Sequence, residues 1–145
     1  MDVLELKLCD VQGRLFELFR DTEYDIESVV KAFMNSNVAR DLDSSYNRMQ
    51  WAGEGYLLEE LIDTCKDNFK IKNEDESKDV LYWTGYIYRY WHYYTGEDSK
   101  SIYKQAPFKR VAVNYLMFHT MDPSMAIDDL KEINRQKMKT NKKDR

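Results

Sequence analysis

Residues 82–94, YWTGYIYRYWHYY, constrain this chain more than any other stretch, because they hold eight of its twenty aromatic side chains in thirteen positions. Read as a helix at about 100° per residue, the segment sets Val80, Trp83, Ile87, Tyr90, Trp91 and Tyr94 on one broad face. Tyr82, Tyr86, Arg89 and Tyr93 form a stripe beside it, and Leu81, Tyr88 and His92 fall on a third side. A helix that is apolar nearly all round has to be contacted from several directions, so the rest of the chain is expected to wrap it. Tyr and Trp bury large areas yet need partners for their polar tips, which makes the segment both core and rim. The stripe then has two readings. It fills a bundle, or it presents Tyr82, Tyr86, Arg89 and Tyr93 as a recognition surface of the Tyr, Trp and Arg kind that dominates binding hot spots. Arg89 can also pair with an acid of the body, Glu59 or Glu60 for example, and would then be purely structural.

Helical spacing runs through the remaining chain. Leu4, Leu8, Val11, Leu15 and Leu18 recur at three and four residues, with Phe16 and Phe19 widening the stripe. Leu4, Leu6 and Leu8 also alternate, so a short initial strand stays open, and Gly13 weakens a continuous helix. Asp25 is placed to cap a second helix carrying Ile26, Val29, Val30 and Phe33 and ending near Asn35. A short helix over 38–42 and a loop over 43–47 follow. Leu57, Leu58, Leu61, Ile62 and Cys65 mark an amphipathic helix, and residues 66–78 form the most polar internal stretch. The aromatic helix is expected over 78–94, stopped by Gly96 in a left-handed cap. Asp98 starts a short helix with Ile102, Tyr103 and Ala106. Pro107 starts another that carries Val111, Val113, Tyr115, Leu116 and Phe118, and Asp122-Pro123 starts the last. The expected fold is all-α: a single-domain bundle of six to seven helices over 1–130 around the aromatic helix, then a basic, frayed tail over 131–145.

Composition agrees with a globular chain: 145 residues, 43% hydrophobic and 33% charged, with five glycines and two prolines. Uncharged runs fall short of the roughly 18–20 residues a membrane span needs, and residues 1–5 (MDVLE) lack a signal peptide's basic start. The expectation is a soluble, cytoplasmic protein. The net charge of −4 hides an asymmetry, because residues 131–145 hold seven bases and two acids, leaving fifteen bases and twenty-four acids in the other 130 residues. An acidic body of charge −9 repels a phosphate backbone.

Catalytic signatures are missing from the sequence. There is no dinucleotide or phosphate-loop glycine pattern, no Gly-x-Ser-x-Gly elbow and no His-Glu-x-x-His. Cys9 and Cys65, 56 residues apart, form neither a disulfide framework nor a zinc pair and read as reduced, buried residues. No metal or cofactor is expected. His92 reads as a core or rim residue, and His119 as a helix-end residue suited to the dipole. The expectation is a non-enzyme. Residues 86–132 do suggest a helix, turn, short helix, turn, helix array, in which Lys100, Lys104, Gln105, Lys109 and Arg110 would face nucleic acid. A DNA-binding regulator is therefore the alternative reading.

Two groups of residues carry a family resemblance. Residues 51–60 (WAGEGYLLEE) with 82–91 (YWTGYIYRYW) resemble an uncharacterised intracellular family of small Firmicutes proteins. Thr95-Gly96, Ile102-Tyr103-Lys104, Tyr115, His119-Thr120 and residues 126–130 (AIDDL) are similar to a second family of short helical proteins, encoded beside toxins of the ADP-ribosyltransferase kind. The resemblance implies an antitoxin or immunity-type protein that binds and neutralises a toxin. It carries over Tyr86, Arg89, Tyr103, Lys104, His119 and Asp122 as fold-defining or partner-facing positions. With the stripe, the partner-binding candidates are Tyr82, Tyr86, Arg89, Tyr93, Tyr103, Lys104, His119 and Asp122.

Overall fold

The computed structural model describes residues 1–72 and 74–143 and is 76% helical. Among the described residues the chain order is α1 (Val3–Phe19), α2 (Ile26–Met34), α3 (Asn37–Asp43), α4 (Glu54–Cys65), α5 (Lys78–Thr95), α6 (Ser99–Gln105), α7 (Phe108–Val113), α8 (Tyr115–Phe118) and α9 (Pro123–Lys143). Short 3-10 turns at Arg48–Trp51 and Lys66–Asn68 flank α4. The described residues contain no strand; Tyr24 and Ile71 meet in one isolated antiparallel bridge. The all-α expectation holds, and seven of the nine helices have seven residues or more.

Side-chain caps set most helix starts. Asp2 accepts the Glu5 N–H while Glu5 accepts the Asp2 N–H, at 2.8 and 3.0 Å. This capping box settles the alternating start of the chain in favour of helix. Asp25, Ser36, Ser77 and Asp98 cap α2, α3, α5 and α6 through a side-chain oxygen alone, each satisfying an otherwise orphaned N–H worth about 1 kcal/mol. Gly96, at φ 80°, closes α5.

The aromatic helix α5 is the centre, and α1 lies along it in the opposite direction. Lys78 comes within 3.9 Å of Asp21 at one end of the pair, and the charge of Glu5 is felt by Tyr93 at the other. Two glycines allow the close approach. A Cβ on Gly85 would stand 2.5 Å from the Gln12 carbonyl oxygen and 2.9 Å from the Gly13 Cα, and one on Gly13 would stand 2.7 Å from the Tyr82 ring. Gly13, expected to weaken α1, sits instead inside an unbroken helix at its tightest crossing. Phe16, Phe19 and Phe33 then cluster at 5.0–6.4 Å between ring centres, and Phe16 reaches Tyr88 at 6.1 Å. Trp91, Ile87, Leu57, Leu61, Ile127 and Leu130 are fully buried around them.

Two expectations are corrected. The helix begun at Pro107 does not continue to Phe118, because the backbone leaves helical geometry at Asn114 (φ −93°, ψ 2°). The Asn114 side chain donates instead to the Arg110 carbonyl at 2.7 Å, the local competition for which Asn is prone. The boundary at 130/131 is not a break either, since α9 runs on to Lys143 and both Lys131 and Ile133 pack on the body. No helix of the described residues is long and apolar enough to cross a membrane.

Candidate functional site

Arg89 is not on a surface. Only 1% exposed, it donates from Nε to Gln12 Oε1 at 2.8 Å, from one terminal nitrogen to Asp43 Oδ1 at 2.6 Å and from the other to Ser99 Oγ at 3.3 Å. Asp43 also accepts the N–H and the hydroxyl of Ser99, at 2.9 and 2.8 Å, and Gln12 donates onward to the Gly85 carbonyl at 3.0 Å. This network joins α1, α3, α5 and α6 in the core, and its acid is Asp43 rather than Glu59 or Glu60. A guanidinium this deeply buried and held by a carboxylate and two further acceptors is out of a partner protein's reach. Arg89 is therefore a fold-defining residue. Its neighbour His92 sets Nδ1 2.7 Å from the Glu97 carbonyl and 3.7 Å from Asp43.

Two further candidates are withdrawn in different degrees. Tyr103 is buried against Tyr88, 6.3 Å between ring centres. Tyr93 is half-buried, its hydroxyl enclosed without a hydrogen-bond partner, and burial pushes its pKa up to about 12. Tyr103 and the Tyr93 hydroxyl are thus withdrawn from the solvent side, which with Arg89 breaks up the expected stripe.

What the solvent side of α5 does present is a ladder at four-residue spacing: Tyr82, Tyr86, Tyr90 and Tyr94. Successive rings stand 6.0 Å apart for Tyr82 and Tyr86 and 6.2 Å, stacked, for Tyr86 and Tyr90. The first three are half-buried and Tyr94 is 45% exposed. Both ends are tied to acids. The Tyr82 hydroxyl donates to Asp10 at 2.5 Å and the Tyr94 hydroxyl to Asp128 at 3.0 Å. One flank is built by Trp83, Tyr115 and His119, with Trp83 and Tyr115 5.7 Å apart and the His119 ring stacked on Tyr115 at 4.2 Å. Glu17, Asp79 and Tyr82 complete a shallow hollow of about 360 Å³ there. Exposed Asp122 acts through its charge on Tyr90, and its own carboxyl is held low by the Ser124 hydroxyl and N–H. Burial raises the pKa of Tyr86 and of Tyr90, helped by neighbouring Asp10 and Asp122 respectively. The hydroxyls therefore stay neutral at physiological pH, and the surface offers apolar ring faces, hydroxyls and a rim of carboxylates.

The fold thus brings Tyr82, Tyr86, His119 and Asp122 to one side of the molecule, leaves Arg89 and Tyr103 inside, and encloses the hydroxyl of the half-buried Tyr93. Lys104 is exposed on α6, away from the ladder's own helix. The nucleic-acid candidates are also divided. Lys100 and Lys104 are exposed at the surface, and Lys109 is 3.5 Å from Glu27 while remaining 84% exposed. Gln105 and Arg110 are turned into the fold: Gln105 bonds Glu97 and accepts from Lys131 at 3.1 Å. Arg110 donates to the Gln105 carbonyl at 2.7 Å and to Asn134 at 3.2 Å. Those bonds fasten α6 and α7 to α9 rather than aim at a groove.

Azimuth sets Tyr90 and Tyr94 on the broad face with Val80 and Trp83, while the spacing 82, 86, 90, 94 makes each tyrosine a neighbour of the next. Asp43 carries no such signal, since in sequence it only opens a polar stretch. Glu97 is another silent position. Its carboxylate takes Trp91 Nε1 at 3.1 Å, Lys131 Nζ at 2.5 Å and Gln105. Burial works against its charge, but these donors prevail and bring its pKa down to about 2. No family model, curated protein or solved structure matches the chain.

Proposed function

We propose that this chain is a binding protein of the antitoxin or immunity kind, which neutralises a partner protein by covering it with the tyrosine edge of α5. The observation that carries the reading is the ladder of Tyr82, Tyr86, Tyr90 and Tyr94, partly open to solvent and fastened at both ends to acids. Tyrosines supply large rigid contact area at low entropic cost, the character of hot-spot anchors. Acids beside them suit a basic surface such as one that handles nucleotides, and speed the encounter. The family resemblance of residues 95–130 points the same way. The regulator reading has less behind it, because Gln105 and Arg110 are spent inside the fold.

Co-purification of the tagged chain from its native host, followed by mass spectrometry, tests the reading. The expected result is a stoichiometric partner lost when Tyr86→Ala is combined with Tyr90→Ala, with the helical circular dichroism unchanged. Recovery of the chain without a partner, or a partner that survives the double variant, would overturn the tyrosine edge as the binding surface.

A further inference from the structure

The end of α9 stands away from the body. Residues 135–142 are exposed throughout, although α9 stays helical to Lys143. Over 135–143 the sequence carries five cations, Arg135, Lys137, Lys139, Lys142 and Lys143, and no anion. At 1.5 Å per residue this arm is about 13 Å long. Arg135, Lys139 and Lys142 recur at four and three residues and so share one side, with Met138, 55% exposed, next to them.

The body carries a counterpart. A groove of about 760 Å³ runs between the start of α2, the segment before α5, and α7; five acids and two lysines line it. Glu74 is exposed on its wall, and the buried Oε2 of Glu27 has no hydrogen-bond donor, with Lys109 Nζ 3.5 Å away. Its apolar lining includes Ile71 and Val113, which are 89% and 78% exposed. A branched aliphatic pair left this open beside carboxylates matches a segment that brings both a methionine and lysines.

We propose that the basic arm of α9 seats in this acidic groove of a second copy of the chain. Charge selects the pair, an arm of +5 against a 130-residue body of −9. The apolar contacts favour a second copy over a nucleic-acid backbone, because Met138, Ile71 and Val113 find no use against phosphates. Reciprocal exchange of arms closes the assembly as a two-fold dimer. The proposal is independent of the toxin-binding reading, since it concerns other residues and needs no foreign partner.

Sedimentation equilibrium of the full-length chain tests it, at about 50 mM and about 500 mM salt, across which charge screening changes several-fold in range. A dimer at low salt that dissociates at high salt is expected. Lys139→Glu with Lys142→Glu, and separately Glu74→Lys with Glu76→Lys, should each weaken association at least about tenfold, a change of roughly 1.4 kcal/mol. Combining the two sets should restore it, a rescue that general loss of stability cannot produce. A chain that is monomeric at low salt, or variants that dimerise like the parent, would overturn the proposal. So would a monomer whose arm lysines are needed to bind a fluorescent DNA duplex, which would give the arm to phosphates instead.

Discussion

Replacing Gly85 by alanine should destabilise the protein even though alanine is the better helix former. In an exposed helix interior the change is favourable by about 1 kcal/mol. Here the new methyl carbon would lie 2.5 Å from the Gln12 carbonyl oxygen and 2.9 Å from the Gly13 Cα, against the 3.4 Å at which ordinary contact begins. The shortfall is close to 0.9 Å, and the obstructing atoms are backbone of α1, which cannot swing aside as a side chain can. Overpacking of a tight core contact costs about 1–3 kcal/mol, and a rigid neighbour puts this site at the upper end. Moving α1 would also stretch the 3.0 Å bond from Gln12 to the Gly85 carbonyl, and with it the support of Arg89. The net expectation is a loss of about 1–2 kcal/mol, or roughly 3–8 °C in Tm for a chain of this length. Gly55→Ala is the control, since nothing lies within 4 Å of its Cβ position, and in the first turn of α4 it should gain up to about 0.5 kcal/mol. Urea unfolding followed by far-UV circular dichroism reads both. A Gly85→Ala protein as stable as the parent would refute the close α1–α5 crossing and everything placed by it.

Other outcomes follow from the same geometry. Asp43→Asn leaves Arg89 charged and buried without its counter-ion and should cost about 3–5 kcal/mol, whereas Arg89→Met with Asp43→Leu should recover much of that loss; a double-mutant cycle showing no coupling would contradict the network. Because the Glu97 carboxyl is held down to about 2 from an ordinary 4.5, its contribution is full above pH 4.5 and lost as pH falls toward 2. Allowing for solvent screening this is about 1–2 kcal/mol, and Glu97→Gln should flatten that part of the stability–pH curve. Cys9 is fully buried with its thiol pushed up to about 12, so in the native protein a thiol reagent should titrate only the half-buried Cys65, and both after unfolding. Tyr82→Phe should lose about 1 kcal/mol with the Asp10 bond, measurable in the same urea titration, without altering the helix content.

Much of the helical framework is legible along the chain because its causes are local. Asp25, Asp98 and Gly96 announce helix ends by chemistry that acts within three or four residues. The stripe of Leu4, Leu8, Val11, Leu15 and Leu18 gives α1 its face, though only the Asp2–Glu5 capping box excludes a strand at its start. Where local rules compete with packing they mislead. Gly13 reads as a weak point by propensity, and is a contact point because Tyr82 and Gly85 face it. Pro107 through Phe118 reads as one helix by periodicity, and breaks where Asn114 bonds backwards to Arg110.

The candidate site divides along the same line. The aromatic density of α5 and the opposite charges of body and C-terminal segment are determined by the sequence alone. Four-residue spacing makes each of Tyr82, Tyr86, Tyr90 and Tyr94 a neighbour of the next, but over twelve residues the azimuth drifts by about 120°, so the spacing does not by itself gather all four on one edge. Azimuth on an isolated helix, however, does not say which side faces solvent. That depends on where α1, α6 and α9 come to rest, and their positions placed Arg89 inward against Asp43, Gln12 and Ser99, residues 46, 77 and 10 positions away. A long-range ion pair leaves no periodic trace, because each partner satisfies only its own local pattern. Burial, and with it the separation of the fold-holding arginine from the exposed tyrosine edge, was therefore decided only by the tertiary structure.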